Sequence, residues 1–275
     1  MDFSYLAPLG AALFSLPLPE RGPEGARDEL VWLFGTAGLR ALEAAPRTSA
    51  PRSGSFRDGG LHVLAGGGAH LVVSAGAMGQ GGVGGHSHLD KLSFEFHVGG
   101  RPVIVDSGTA TYTRSPGLRN RMRATAAHNA LVVDGEEQVP LLRERLFALP
   151  GDARAQAEFL VSGHTVERLS VRHDGYRRLS SPVRVRRRFL LDKSSRALCV
   201  VEALEGRGLH GVCWRLHLAG TDARLMTVPA QLLARAAQVP WAPGRLEPVG
   251  ISLPSSGTWL LFEDGLRPSL GGALH

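Results

Sequence analysis

The pattern of hydrophobic and polar residues changes near residue 46. Ahead of that point, apolar segments at residues 5–14, 29–34 and 37–42 predict short helices, the second of which is ended by Gly35. Two or three short helices cannot bury a core by themselves. Residues 1–45 therefore indicate either the end of a larger helical domain or a collar packed on the rest of the chain.

The remainder of the chain has the pattern of short strands. Residues 46–56 are rich in Pro, Ser and Gly and predict a linker. After the linker, short apolar runs are separated by Gly, Asp or Pro; they cover residues 61–64, 70–73, 92–98, 102–105, 130–133, 183–185, 188–191, 197–201 and 212–218. Strands of this length and spacing predict a mainly β fold, a large antiparallel β-sandwich over residues 57–275 with a short N-terminal helical segment.

Composition limits the classes of molecule that the chain is expected to bind. The chain has 275 residues, 43% of them hydrophobic, and a formal net charge of +6. A basic surface attracts polyanions, either nucleic acid or acidic polysaccharide. Aromatic residues make up only 6% and no nucleic-acid-binding module is present, which argues against nucleic acid. No run approaches the roughly 18 apolar residues of a membrane span, and the apolar start lacks the basic leading segment of an export signal.

A glycine-rich stretch, GQGGVGG, leads into the densest group of chemically active residues. His86 comes directly after it, where a phosphate-binding loop would have Lys and Ser or Thr, so the stretch predicts a tight turn or a close approach of ligand to backbone. On a strand, His86, His88 and Asp90 would share one face. Asp106 ends the next strand after a Gly-Gly turn, and His128 opens a third. Two imidazoles with carboxylates could be metal ligands, proton-transfer groups or both.

The order of three segments carries a family resemblance. GGHSHLDKLSFEF, VDSGT and R-x-x-x-R-x-T-A-A-H-N succeed one another between Gly84 and Asn129. In this order and spacing they resemble the C-terminal domain of heparinase II/III-type polysaccharide lyases. The resemblance implies an antiparallel β-sandwich joined to an N-terminal helical toroid, with the active site in the cleft between them. Residues 1–45 would then be a remnant of that toroid, and the periplasm or cell envelope is the implied location.

The resemblance also assigns roles to four residues. His86 matches the histidine of the family's catalytic cleft. His88, Asp106 and His128 match positions that hold a zinc ion, which is regarded as structural. The residue pattern alone indicates which of these side chains cluster but does not separate their roles.

The implied reaction is β-elimination next to a uronic acid in an acidic polysaccharide. The sugar carboxylate must be neutralised, a base removes the C5 proton, and an acid protonates the leaving oxygen. His86 could be the base or the group that neutralises the carboxylate. Tyr112 could be a phenolic acid or base, or an ordinary strand aromatic.

Four further residues are candidate contacts to substrate. Arg119, Arg121 and Arg123 could pair with carboxylate or sulfate groups, which suit the fork of a guanidinium, or could form a solvated face. Asn129 could orient a ligand or close a turn.

The chain departs from the family pattern in its first part. Family members take a catalytic Tyr, with an Asn or His partner, from the toroid, whereas Tyr5 is the only tyrosine in residues 1–45 and no catalytic motif surrounds it. We therefore expect a catalyst that is incomplete alone, for which a separately encoded helical domain would be a partner. Two alternatives stay open: a non-catalytic carbohydrate-binding or metal-stapled module, and a cupin-type metalloenzyme.

Overall fold

A computed structural model describes residues 6–19, 27–48, 51–151, 153–219 and, for the backbone alone, 261–262. Contacts divide the chain into two compact units, Met1–Pro51 and Arg52–His275. Among the described residues, no helix is both long and apolar enough to cross a membrane.

The first unit is a small helical element. It comprises α1 (Leu6–Phe14), β1 (Leu18–Pro19), α2 (Arg27–Ala44) and β2 (Arg47–Thr48), and the two strands pair in parallel. The second and third predicted helices are one helix, α2, kinked at Gly35. Gly35 has φ 59°, a left-handed conformation that glycine adopts without the steric cost of a side chain.

The second unit is built mainly from strands. Its described elements are β3 (Gly54–Phe56), β4 (Leu61–Gly66), β5 (Ala69–Ser74), β6 (Phe94–Val98), β7 (Arg101–Ile104), α3 (Pro116–Met122), β8 (Leu131–Val133), β9 (Gln156–Ser162), β10 (Val166–His173), β11 (Val183–Asp192), β12 (Leu198–Gly206), β13 (Val212–Trp214) and β14 (Leu261–Phe262).

These strands form two five-stranded antiparallel sheets, β3-β4-β5-β6-β7 and β14-β12-β11-β10-β9, and a ribbon of β8 and β13. Alternate residues of β5 and β11 point into one shared core, where Phe94 of the first sheet meets Phe189 of the second at 5.2 Å between ring centroids. The prediction of a mainly β, antiparallel sandwich is confirmed over the described residues.

Several strand boundaries differ from the predicted ones. The last three residues of the expected linker form β3, whose pairing with β4 joins them to the sheet. Strands β9 and β10 were not predicted; charged residues interrupt their apolar positions, as Glu158 does in β9 and Arg168 does in β10. The predicted strands 183–185 and 188–191 are a single strand, because Arg187 continues the inward-facing series of β11.

Arg187 is therefore a charged residue inside the sandwich, only 3% exposed. Its Nε and Nη2 donate to the carboxylate of Glu202, which is also buried, on the neighbouring strand β12. Its Nη1 donates to the carbonyl oxygens of Leu92 and Asn129, each at 2.6 Å. One guanidinium thus joins the second sheet to the segments that precede β6 and β8.

We predict that Arg187→Met destabilises the fold by about 3–5 kcal/mol, because it leaves the Glu202 carboxylate buried without its partner. The measurement is urea unfolding. Arg177→Met is the matched control: Arg177 is half-exposed in a 3.6 Å ion pair with Asp174, and its loss should cost less than about 1 kcal/mol. Equal free energies of unfolding for the two variants would contradict the assignment.

Candidate functional site

The candidate site lies where three segments meet beside the first sheet: the loop ahead of β6, the loop after β7, and α3 with the turn at its C-terminal end. The β6–β7 hairpin sets up this meeting through Gly99 and Gly100, whose φ values of 59° and 77° suit glycine. The hairpin returns the chain so that Asp106, just beyond β7, lies against His128. The Gly-Gly turn thus places Asp106 in the site, where its carboxylate contacts His128.

The segment from His86 to Asp90 is not a strand, which corrects the expectation for it. It is an irregular loop, and β6 begins only at Phe94. Leu89 anchors the loop by burying its side chain beside Met78 and by donating its backbone N–H to the carbonyl of Arg123 at 3.0 Å.

Without strand geometry, the three polar side chains of this loop diverge. His86 is exposed and lies against Tyr112 and Phe147, with ring centroids 6.1 Å away in each case. His88 turns towards His128. Asp90 lies 3.6 Å from the ammonium of Lys91, and its charge also acts to raise the pKa of His88.

His88, Asp106 and His128, which the family resemblance groups together, lie close to one another in one cluster. Nδ1 of His128 is 2.7 Å from Oδ2 of Asp106, and the rings of His88 and His128 are 5.1 Å apart. The other oxygen of Asp106 accepts the N–H of Gly108 at 2.8 Å.

The surroundings of the cluster shift the pKa values of His88 and Asp106. Burial lowers the pKa of His88 to about 4, helped by the neighbouring His128 and Arg119. Burial alone would raise the pKa of Asp106, but the hydrogen bond and charge of His128 and the bond from Gly108 outweigh it and hold the pKa below its usual value. At neutral pH, His88 is an uncharged imidazole next to an ionised Asp106.

Two features of the cluster suit a zinc ion: the types of its residues, and one buried nitrogen that lacks a hydrogen-bond partner. Nε2 of the buried His128 has no hydrogen-bond partner, and two imidazoles with a carboxylate are a common zinc donor set. The described residues nevertheless include no three His, Cys, Asp or Glu side chains already arranged around a metal position. One reason is that Nε2 of His88 faces Thr109 and Arg119 instead, both at 3.2 Å.

Arg119 is a buried cation without a counter-charge. It is 1% exposed, and its Nη1 lies 3.1 Å from Thr109 Oγ1 and 3.2 Å from His88 Nε2. Its Nε and Nη2 have no hydrogen-bond partner, and none of the ion pairs in the described part of the chain includes it. Instead, its guanidinium carbon lies 5.0 Å from the ring centroid of Tyr112 and 5.4 Å from that of Phe147.

Tyr112 and Phe147 are partly exposed, at 50% and 38%, with nearly parallel rings 6.2 Å apart. Tyr112 was predicted as a site residue, and it lies in the loop after β7 rather than on a strand. Phe147 was not predicted. It belongs to no motif, and only the folded chain brings it to Arg119 and His86.

Arg123 is placed in the interior, which corrects its expected contact with substrate. It is fully buried and spends its donors on Asn120 Oδ1 at 2.9 Å, the Ala148 carbonyl at 3.0 Å and the Leu142 carbonyl at 2.7 Å. Its role is to clamp the segment 142–148, which carries Phe147.

Asn129 is likewise a buried structural residue rather than a ligand contact. Its Nδ2 donates to the carbonyls of Phe94 at 2.8 Å and Val105 at 2.9 Å, and its Oδ1 accepts the backbone N–H of His217 at 2.7 Å. These bonds join β6, the end of β7 and the chain beyond β13. Asn129 therefore holds backbone segments together, which is closer to the expectation that it closes a turn than to the expectation that it orients a ligand.

We predict that Arg123→Met loosens segment 142–148, because two of its backbone carbonyls lose their donors. Trypsin should then cut faster after the exposed Arg143 or Arg145. Peptide mass analysis over a time course measures the rate. Arg121→Met, an exposed position on the same helix, should leave it unchanged; equal cleavage of the two variants would show that Arg123 is not the clamp.

Comparisons with known proteins agree with this fold. The family model described as "Heparinase II/III-like, C-terminal" matches residues 48–261. A structure of a mutant of the heparan sulfate lyase HepC from Pedobacter heparinus is similar, with TM-score 0.55 and 16% identity, over 82% of this chain and 32% of that one. Another structure of HepC has TM-score 0.53 and 18% identity, over 74% and 30%.

The structure of a heparinase III is also similar, with TM-score 0.50 and 18% identity, over 74% of this chain and 31% of that one. The chain therefore spans about a third of the length of these solved structures. At such identities the likeness concerns the fold alone. No curated protein sequence matches the chain. Because the family model covers more than half of the residues, the chain belongs to the heparinase II/III-like C-terminal domain family.

Proposed function

We propose that the chain is the β-sandwich part of a polysaccharide lyase that cleaves a uronic-acid-containing acidic polysaccharide by β-elimination. The observation that carries the proposal is Arg119, a buried cation that lacks a carboxylate partner and lies over the half-exposed Tyr112, whose ring is also a neighbour of the exposed His86. An uncompensated buried charge is costly, and an anionic substrate would supply the missing partner.

These three residues could divide the elimination between them. Arg119 would neutralise the uronate carboxylate, which makes the C5 proton more acidic and stabilises the enolate-like intermediate. His86 would take the C5 proton as the C4–C5 double bond forms. The bond from C4 to the glycosidic oxygen then breaks, and the hydroxyl of Tyr112 would deliver a proton to that oxygen.

We propose that His88, Asp106 and His128 hold a zinc ion. When bound, the metal would act as a structural staple between the loop ahead of β6, the end of β7 and the segment before β8. The unpartnered Nε2 of His128 and the uncharged state of the His88 imidazole support this, since zinc binds neutral imidazoles. The reaction above does not use the metal.

We further propose that the active site is completed by a helical domain, whether joined to this chain or encoded separately, in the periplasm or cell envelope. The support is that similar solved structures are about three times as long as the part that this chain matches. The same observation favours a second candidate function, a carbohydrate-binding module that uses Arg119 and Tyr112 without performing the chemistry.

The lyase proposal predicts that the chain, together with the helical domain that completes its active site, releases unsaturated uronates, which absorb in the ultraviolet, from at least one of heparan sulfate, alginate and hyaluronan. His86→Ala should lower kcat by about 100-fold or more, as expected when a proton-transfer group is lost. The exposed position of His86 predicts little change in stability. His97→Ala, on strand β6, is the control and should retain activity. Binding of a polyuronate without any product would favour the carbohydrate-binding module.

The zinc proposal predicts about one zinc per chain by elemental analysis after dialysis, and loss of most of it in His88→Ala. His70→Ala is the matched control, because His70 stacks on His97 at 4.7 Å and makes no contact with Asp106 or His128. Unchanged zinc in His88→Ala would remove His88 from the proposed ligands.

A further inference from the structure

Phe147 has an unusual environment for a phenylalanine. The residue is 38% exposed, and its ring lies nearly parallel to that of Tyr112, with an angle of 12° between the planes. The backbone around it is fixed, since Arg123 binds the carbonyls of Leu142 and Ala148 on either side. The fold therefore holds this aromatic ring at the surface in a defined position.

The ring lies between two groups that already belong to the proposed site. His86 is 6.1 Å away on one side, and the guanidinium of Arg119 is 5.4 Å away on another. An aromatic face attracts apolar C–H groups, whereas the buried cation attracts an anion. A pyranose ring that carries a carboxylate or sulfate offers both kinds of group at once.

We propose that Phe147 is a substrate-positioning residue, which stacks with Tyr112 beneath a sugar ring of the acidic polysaccharide and directs its anionic group towards Arg119. This proposal rests on the proposed function. It identifies how the site would select its substrate, because binding would require both the apolar face of a sugar ring and an anionic group on that sugar. A stacked sugar would exclude water from Arg119, which strengthens the charge pairing.

A competing explanation is that Phe147 is only an apolar cover for Arg119. Phe147→Leu separates the two explanations, because leucine retains an apolar side chain of similar size but has no aromatic face. Phe147→Trp restores an aromatic face. Phe56→Leu changes another exposed phenylalanine, on strand β3, and is the control.

The experiment measures the affinity of the full chain and these variants for size-defined heparan sulfate and alginate oligosaccharides by titration calorimetry, with neutral maltohexaose as a third probe. Thermal unfolding is followed for each variant. We expect Phe147→Leu to weaken binding of at least one acidic probe by about 3- to 10-fold, in line with the free energy of aromatic contacts. Phe147→Trp should restore most of that affinity, and Phe56→Leu should retain it, at similar unfolding temperatures. Where product forms, KM should rise in Phe147→Leu more than kcat falls.

The outcomes separate this proposal from the proposed function. If the wild type binds an acidic probe and Phe147→Leu binds it equally well, the stacking role is overturned, whereas the proposed function stands on His86→Ala. Equal affinity of the wild type for maltohexaose would overturn the requirement for an anion. If the wild type binds neither acidic probe, the stacking role is overturned, whereas the proposed function is decided by product release from the three polysaccharides.

Discussion

The hydrogen bonds of Arg187 to the carbonyls of Leu92 and Asn129 are the constraint on which the site depends. Leu92 precedes β6 and Asn129 comes directly after His128, so one guanidinium in the second sheet fixes two segments that carry site residues. The carboxylate of Glu202 holds that guanidinium in the core, where an unpaired charge would be too costly. Asn129 extends the network to Phe94, Val105 and His217. The site is thus assembled on buried polar bonds rather than on apolar packing alone.

The three histidines of the site lie at different depths below the surface. His128 is 1% exposed, His88 is half-buried and His86 is exposed. Burial and the neighbouring charges keep His88 uncharged at neutral pH, which suits a ligand, whereas His86 meets solvent, which suits a group that exchanges protons with substrate. The difference in depth thus supports separate roles for His86 and His88, although they are only two residues apart.

The sequence predicted the sandwich because short apolar runs, such as the one that becomes β5, follow one another at close spacing. The Gly-Gly pair predicted the hairpin turn that precedes Asp106, and glycine suits the positive φ values found there. The grouping of Asp106 with His88 and His128 came from the family resemblance. The sequence could not separate Arg119 from Arg123, which share a helix end and a residue type, because only tertiary surroundings make one a cation in the site and the other a clamp. The loop at His86 to Asp90 was predicted as a strand because its polar residues recur at every second position. That pattern occurs in loops as well as in strands. Phe147 belongs to no pattern that a sequence displays.

Arg119 and Arg123 lie one turn apart, and the N–H of Arg123 donates to the carbonyl of Arg119 at 3.1 Å. The same turn of backbone therefore carries the cation and the anchor of segment 142–148 beside it. This segment is a loop, whereas the histidine cluster rests on the sandwich and its buried network. Under the proposal that Phe147 contacts a sugar, segment 142–148 is the part of the site that can be exchanged separately: replacing this one anchored loop would alter which polysaccharide is recognised and would leave the segments that hold the histidines in place.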